Sequence, residues 1–298
     1  MNMAVCLKGV FPPIATPFEN GEISEKSLAF NLERWNRTGL QGYVVLGSNG
    51  EFPYLDEEEK VNLIGLVRKH MAEDKVLIAG TGMESTRATI RMTKKAADAG
   101  ADAAIIVNPH YYTGRMTAEV LIRHYTEVAD ASPIPIMIYN VPGFTGVNIA
   151  PETVAVLAGH DNIIGMKDTS GNIVQVAQLV RLTEGKGFDV LAGSANHFLP
   201  ALAVGAQGGI LALANIAPDE CVQIQRLYQE AKLEEAKELH LRMLPVNQAI
   251  TAQMGVPGLK AAMEMRGYFG GEPRQPLLPL SDSARETLRQ ILQDAGLL

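Results

Sequence analysis

The chain has 298 residues, 47% of them hydrophobic and 20% charged, with a net charge of −7 and a pI near 5.5. That composition is ordinary for a soluble globular protein built as one large α/β domain or two smaller ones. An acidic balance with no Lys/Arg run excludes nucleic acid as a partner, because neutralising phosphates takes a basic surface.

Two cysteines, Cys6 and Cys221, give neither a disulfide framework nor a CxxC metal knuckle. The start MNMAVCLKGVFPPIA lacks a charged segment followed by a long apolar one, and no apolar stretch approaches a membrane span. A cytoplasmic protein with no membrane partner is expected.

Along the chain, short apolar or β-branched runs recur: VFPPIATPF (10–18), GYVVLG (42–47), KVLIAGT (75–81), DAAIIVNP (102–109), IPIMIYNV (134–141), NIIGMKD (162–168), FDVLAGS (188–194) and GGILALAN (208–215). They are nearly continuous in hydrophobicity rather than alternating, as strands buried on both faces of a parallel sheet are. The segments between them carry helical spacing. In 56–71, Val61, Ile64, Val67 and Met71 share a face, with acids in the first turn and Arg68, Lys69 and His70 near the end, as the helix dipole favours. In 118–130, Leu121, Tyr125 and Val128 do the same. Eight strand-then-helix units in about 220 residues predict a (β/α)8 barrel. An open doubly wound sheet is the competitor, but GTGMES (80–85) is half a dinucleotide fingerprint and no GxxxxGK[ST] occurs. Beyond 215 the pattern is helical only. We therefore expect residues 1–216 to form the barrel with its site, and 217–298 to supply the last barrel helix and a C-terminal helical extension.

In such a barrel the chemistry sits at the C-terminal ends of the strands. Lys167 is the one lysine that ends any of the eight runs. An amine desolvated in a barrel mouth is favoured in its neutral form, ready to attack a carbonyl. The bland alternative is a lysine paired with the neighbouring Asp168, although adjacent strand residues point to opposite faces. Tyr139 ends the preceding run and reads either as a core tyrosine or as a phenolic proton carrier beside Lys167. GSNGEF (47–52) is either a plain turn or a cradle in which Ser48, Asn49 and backbone amides hold a carboxylate. The six histidines form no HxH or HExxH pattern, so no metal site is expected.

Together GVFPPIATPF, GSNGEF, YNVP-x-TG and GMKD resemble the dihydrodipicolinate synthase and N-acetylneuraminate lyase family of pyruvate-handling class I aldolases, over nearly the whole chain. The resemblance implies a (β/α)8 barrel assembled as a homotetramer, a dimer of dimers. It implies a covalent imine on Lys167 with no separate cofactor, Tyr139 as proton carrier and Ser48 as its relay. Tyr111, or its neighbour Tyr112, would reach across a subunit interface to complete that relay. Ser48 and Asn49 would hold the carboxylate of a 2-oxo acid, with Thr169 and Gly193 lining the pocket beside the imine. Synthases of the family usually carry GTTGE and an arginine in YNVPxRTG; here the turn is GSNGE and Phe144 stands at the arginine position. GSNGEFP, the HYYTGRM segment, GMKDTSG and VLAGSA are closer to the 4-hydroxy-2-oxoglutarate aldolases, which give pyruvate and glyoxylate, so that carbon–carbon lyase activity is the leading expectation. Dihydrodipicolinate synthesis from pyruvate and aspartate semialdehyde, or dehydration of a sugar-derived 2-oxo acid, are the enzymatic alternatives. A non-catalytic 2-oxo acid sensor is the non-enzymatic one. Arg115 is the candidate for a distal carboxylate.

Overall fold

An apolar run becomes a strand only where its backbone has donors to give. In the computed structural model, which describes residues 5–298, the first run supplies only Val10–Phe11 (β1). Pro12 and Pro13 bring no N–H to a ladder, so the run continues as an irregular segment instead of a long strand. The other runs give Gly42–Val45 (β2), Val76–Gly80 (β3), Ala103–Val107 (β4), Ile136–Asn140 (β5), Ile163–Asp168 (β6), Asp189–Ala192 (β7) and Gly208–Ile210 (β8). Each pairs in parallel with the next, and β8 pairs with β1. The ring closes across the prolines. Their carbonyls still accept, so Val44 N donates to Pro12 O at 3.0 Å, and Ile14 N donates to Val44 O at 2.9 Å. The protein is a (β/α)8 barrel.

Helices Glu25–Trp35, Glu57–His70, Thr86–Asp98, Ala118–Ala131, Pro151–Leu157, Ile173–Thr183, Phe198–Ala203 and Pro218–Gln229 follow the eight strands in turn. Asp56 and Glu59 form a reciprocal capping box that starts the second of these. Its buried face is Lys60, Leu63, Ile64 and Val67, with Val61 only half-buried at the margin. Helices Leu233–Gln248, Gly255–Met265 and Asp282–Asp294 form the C-terminal extension. A short antiparallel hairpin, Phe18–Glu19 with Glu22–Ile23, lies between β1 and the first helix; the sequence pattern did not announce it.

Period-two alternation sorts the strand side chains. Phe11, Val44, Ile78, Ile105, Met137 and Leu191 fill the barrel, while Val45, Ala104, Ile106, Ile136 and Ile138 pack outward against the helices. Tyr139, two residues after Met137, therefore points inward, and Asn140 after it points out. No helix among the described residues is long and apolar enough to cross a membrane.

The helix layer contains a titratable group with a measurable signature. His124 is buried, with Nδ1 2.9 Å from Thr86 Oγ1, and burial pushes its pKa down to about 4. Its folded value lies below the unfolded value of about 6.5, so the neutral ring contributes stability above that pH and the contribution is lost as pH falls toward 4. Urea unfolding at pH 7, 5.5 and 4 is expected to lose on the order of 3 kcal/mol more in the wild type than in His124→Phe over that window.

Candidate active site

The ends of β5 and β6 carry the site. Register pairs Tyr139 with Lys167 and Asn140 with Asp168. Alternation sends the first pair into the barrel and the second pair out of it. Lys167 is 4% exposed and Tyr139 6%, and Lys167 Nζ lies 4.1 Å from the centroid of the Tyr139 ring. Val44, Leu46, Phe52, Ile105 and Val107 complete a narrow apolar slot around them. Among the described residues no carboxylate pairs with Lys167. Asp168, the partner that a structural lysine would have used, accepts from Asn140 Nδ2 at 2.9 Å, Gln175 Nε2 at 2.7 Å and Ser170 N at 3.0 Å on the outer face.

Ser48 reaches the pair from β2. Its Oγ is 3.3 Å from Tyr139 Oη. The turn that presents it, Ser48–Gly50, is bracketed by two non-glycine residues in the left-handed region, Leu46 at φ 60° and Glu51 at φ 59°. Each such residue costs of order 1–3 kcal/mol and persists only where its surroundings hold it. The hold is visible. Thr16 Oγ1 donates to Gly50 O at 2.7 Å, Arg274 N donates to Glu51 Oε2 at 2.7 Å, and Lys260 Nζ lies 2.7 Å from Glu51 Oε1 in a fully buried ion pair. Lys260 also donates to Glu272 O at 2.9 Å and caps the face of Phe18. Burial lowers its pKa while Glu51 opposes that shift. Asn49 is half-buried in the same turn.

Thr169 and Gly193 meet beside the end of β6. Gly193 N donates to Asp168 O at 2.7 Å, and a Cβ on Gly193 would lie 2.0 Å from Thr169 Oγ1, so only glycine fits there. Thr169 Oγ1 is buried without a protein partner. Asn215, at the end of the eighth run, is not in the pocket. It is fully buried, bonded to Pro13 O and Ala15 N, and fixes the segment after β1.

Above the slot opens a cavity of about 920 Å³ that shares Phe52, Gly82 and Val107 with it. Its other walls include Met83, Val141, Phe144, Met254, Val256 and Leu277. Tyr111 and Tyr112 are 78% and 70% exposed and line neither the slot nor the cavity; within one chain neither joins Tyr139. Their loop is held by Glu84, which accepts from Tyr111 N at 2.9 Å and pairs with His110. Arg115 is exposed and lies outside the cavity wall. The lysine that lines the cavity is Lys60, whose pKa burial lowers. Sequence reading missed Lys60 and Lys260; it marks Glu51 as a polar residue after the second run, the acid that closes GSNGE, but gives it no role.

A barrel of this order has known relatives. The profile of the dihydrodipicolinate synthetase family matches residues 6–295. The chain belongs to that family. It is 40% identical to the 4-hydroxy-tetrahydrodipicolinate synthase of Thermodesulfovibrio yellowstonii over 98% of this chain and 99% of the relative. It is 38% identical to the enzyme of the same name from Methanothrix thermoacetophila over 96% of each. Among solved structures, dihydrodipicolinate synthase from Thermotoga maritima superposes with a TM-score of 0.93 at 33% identity, covering 98% of this chain and 99% of that one. The enzyme from Acinetobacter baumannii, solved with pyruvate, gives 0.93 at 33% identity, covering 98% and 100%. Family membership makes this chain a pyruvate-dependent lyase that acts on carbon–carbon bonds. The relatives' names favour the synthase alternative over 4-hydroxy-2-oxoglutarate cleavage.

The buried pair behind the Ser48 turn generates a prediction. Lys260→Met leaves the Glu51 carboxylate buried and without a cation, and is expected to destabilise the fold by about 3–5 kcal/mol. Glu51→Gln in the same background should return part of that loss, which a double-mutant cycle in urea will read.

Proposed function

We propose that this chain is a Schiff-base aldolase that condenses pyruvate with aspartate semialdehyde to form the dihydrodipicolinate skeleton. The observation that carries the reaction type is the buried, unpaired Lys167 amine over the Tyr139 ring. Lys167 Nζ adds to C2 of pyruvate to give a carbinolamine, and loss of water leaves a protonated imine. That imine accepts the electron pair when a C3 proton leaves, giving the enamine. The enamine carbon then bonds to the aldehyde carbon, and the aldehyde oxygen takes a proton from Tyr139. Ser48 returns a proton to Tyr139, and Tyr111 of a second subunit supplies it at the outer end of the relay. The amino group of the condensed semialdehyde then adds to the imine carbon, which closes the ring as the C2–Nζ bond breaks and frees Lys167. Ser48, Asn49 and the turn amides hold the pyruvate carboxylate, with Thr169 and Gly193 beside the imine. The imine is the electron sink, so the reading needs no separate cofactor or metal. A cytoplasmic homotetramer, a dimer of dimers, belongs to the same reading.

One observation favours a second reading, cleavage of 4-hydroxy-2-oxoglutarate to pyruvate and glyoxylate. Phe144, at the position where synthases of the family carry an arginine, lies on the cavity rim with 74% of its surface exposed. An aromatic ring gives no bidentate clamp to a carboxylate. Dehydration of a 2-oxo acid shares the imine and differs only in the leaving group.

Pyruvate with aspartate semialdehyde, and 4-hydroxy-2-oxoglutarate coupled to lactate dehydrogenase, separate these readings by product. The first assay is expected to turn over, and Lys167→Ala to lose on the order of a thousandfold or more in kcat. Turnover in the second assay alone would transfer the assignment to the aldolase. Sustained borohydride-trappable pyruvate adduct in Lys167→Ala would remove Lys167 as the nucleophile.

The relay has its own test. Tyr111→Phe is expected to lower kcat by roughly 10²–10⁴ with little change in pyruvate KM. Dilution of the wild type to monomer should lower specific activity in parallel; a fully active monomer would rule out a tyrosine supplied across an interface.

A further inference from the structure

Behind the strand ends lies a polar cluster that the chemistry above does not use. Asn140 and Asp168 follow Tyr139 and Lys167 directly, and are themselves register partners on the outer face of the barrel. Both are fully buried. Asn140 Nδ2 bridges Asp168 Oδ2 at 2.9 Å and Asn148 Oδ1 at 2.8 Å, while its Oδ1 accepts from Ile149 N at 3.0 Å. Gln175, from the helix after β6, donates to Asp168 Oδ2 at 2.7 Å and exchanges hydrogen bonds with Asn148. Ser170 N and Oγ take the other Asp168 oxygen.

Asp168 is a buried carboxylate whose hydrogen-bond partners among the described residues are all neutral donors. His197, from the turn Ala195–His197, lies beside it, and burial pushes the His197 pKa below the usual histidine value while Asp168 opposes that shift. Apolar packing would close this wall at lower cost, since buried charge is stabilising only where its geometry is fully met. The elements that the cluster joins are β5, β6, the segment 148–149 and the helix Ile173–Thr183. These are the elements that set where Tyr139 and Lys167 stand relative to each other.

We propose that Asp168, with Asn140 and Gln175, is a positioning clamp that fixes the Tyr139–Lys167 pair from behind the barrel wall. It rests on the Schiff-base reading of Lys167. The residues touch neither substrate nor the reacting atoms. They act by locking the final hydrogen-bonded step between β5 and β6, so that the phenol and the amine keep one separation through imine formation and carbon–carbon bond formation.

The test compares Asp168→Asn, Asp168→Glu and Gln175→Met with wild type. Gln175→Met keeps volume and leaves Asp168 its Asn140 and Ser170 donors, so a folded variant is available if Asp168→Asn unfolds. Thermal midpoint, pyruvate KM, kcat and the single-turnover rate of borohydride-trappable pyruvate adduct are read together. Misplacement of reacting groups shows in kcat rather than in binding. Asp168→Asn and Gln175→Met are expected to lower kcat and the trapping rate together by about tenfold or more, with pyruvate KM within about threefold of wild type. Asp168→Glu should regain part of the loss. Folded variants with a lowered midpoint but wild-type kcat and trapping rate would reduce the cluster to a structural role and overturn the proposal. If wild type itself forms no trappable adduct, the Schiff-base reading falls, and the clamp falls with it.

Discussion

Everything at the mouth of this barrel is arranged around an amine that no carboxylate among the described residues neutralises. Taking an ammonium out of water costs free energy, and a protein normally recovers it by pairing. Here the wall around Lys167 is Val44, Leu46, Phe52, Ile105, Val107 and the face of Tyr139. A cation–π contact returns only part of the lost hydration. The one carboxylate adjacent in sequence is turned outward by the pleat and occupied by Asn140, Gln175 and Ser170. The pleat alone would have permitted a different arrangement. The outward bonds of Asp168 ensure that its oxygens stay committed there and leave Lys167 free.

The second constraint is the turn that brings Ser48 to Tyr139. Two left-handed non-glycine residues within six positions would relax if the loop were free. They are held by contacts to distant parts of the chain: Thr16 below, and Lys260 and Arg274 from the C-terminal extension. Arg274 further pairs with Glu59, the capping-box acid of the helix that follows the turn. The extension therefore acts on the site through the backbone of 46–51. This differs from the many surface ion pairs, such as Arg37 with Glu33, which lie in solvent and contribute little.

How much of this could be read from the sequence follows from the range of each interaction. The strands were legible because burial on both faces leaves continuous apolar runs, and Lys167 and Tyr139 because each ends such a run. The first run misled in length: apolar composition does not report that Pro12 and Pro13 have no N–H. The eighth ends short of its apolar run, where Ala212–Asn215 turns into a 3₁₀ segment and Asn215 bonds the backbone after β1. Glu51 and Lys260 could not be paired from one sequence, because nothing local distinguishes a buried lysine on the helix Gly255–Met265 from a solvated one. Tyr111 is a different case. Its ring is exposed and lines neither the slot nor the cavity, so the role proposed for it rests on a second subunit and not on local pattern.

Reaction and substrate are set in different parts of the site, and this explains why one was easier to infer than the other. The amine, the phenol and the Ser48 hydroxyl occupy strand ends and a strained turn, where backbone geometry leaves little freedom. In the proposed reaction the acceptor lies in the cavity above, whose walls are loop and extension residues such as Met83, Phe144, Met254, Val256 and Leu277. Loops change without disturbing a barrel, and one fold carries many substrates by this means. Among the described residues that line the cavity none is an arginine, and Lys60 is its lysine. A compact ammonium can neutralise a carboxylate but cannot reproduce the planar two-point fork of a guanidinium. Overall identity to the synthases is spread along the whole chain, whereas the choice of aldehyde depends on the few side chains at this rim. Phe144 is where those two kinds of likeness diverge, and the two proposed readings of the aldehyde part at that position rather than at Lys167.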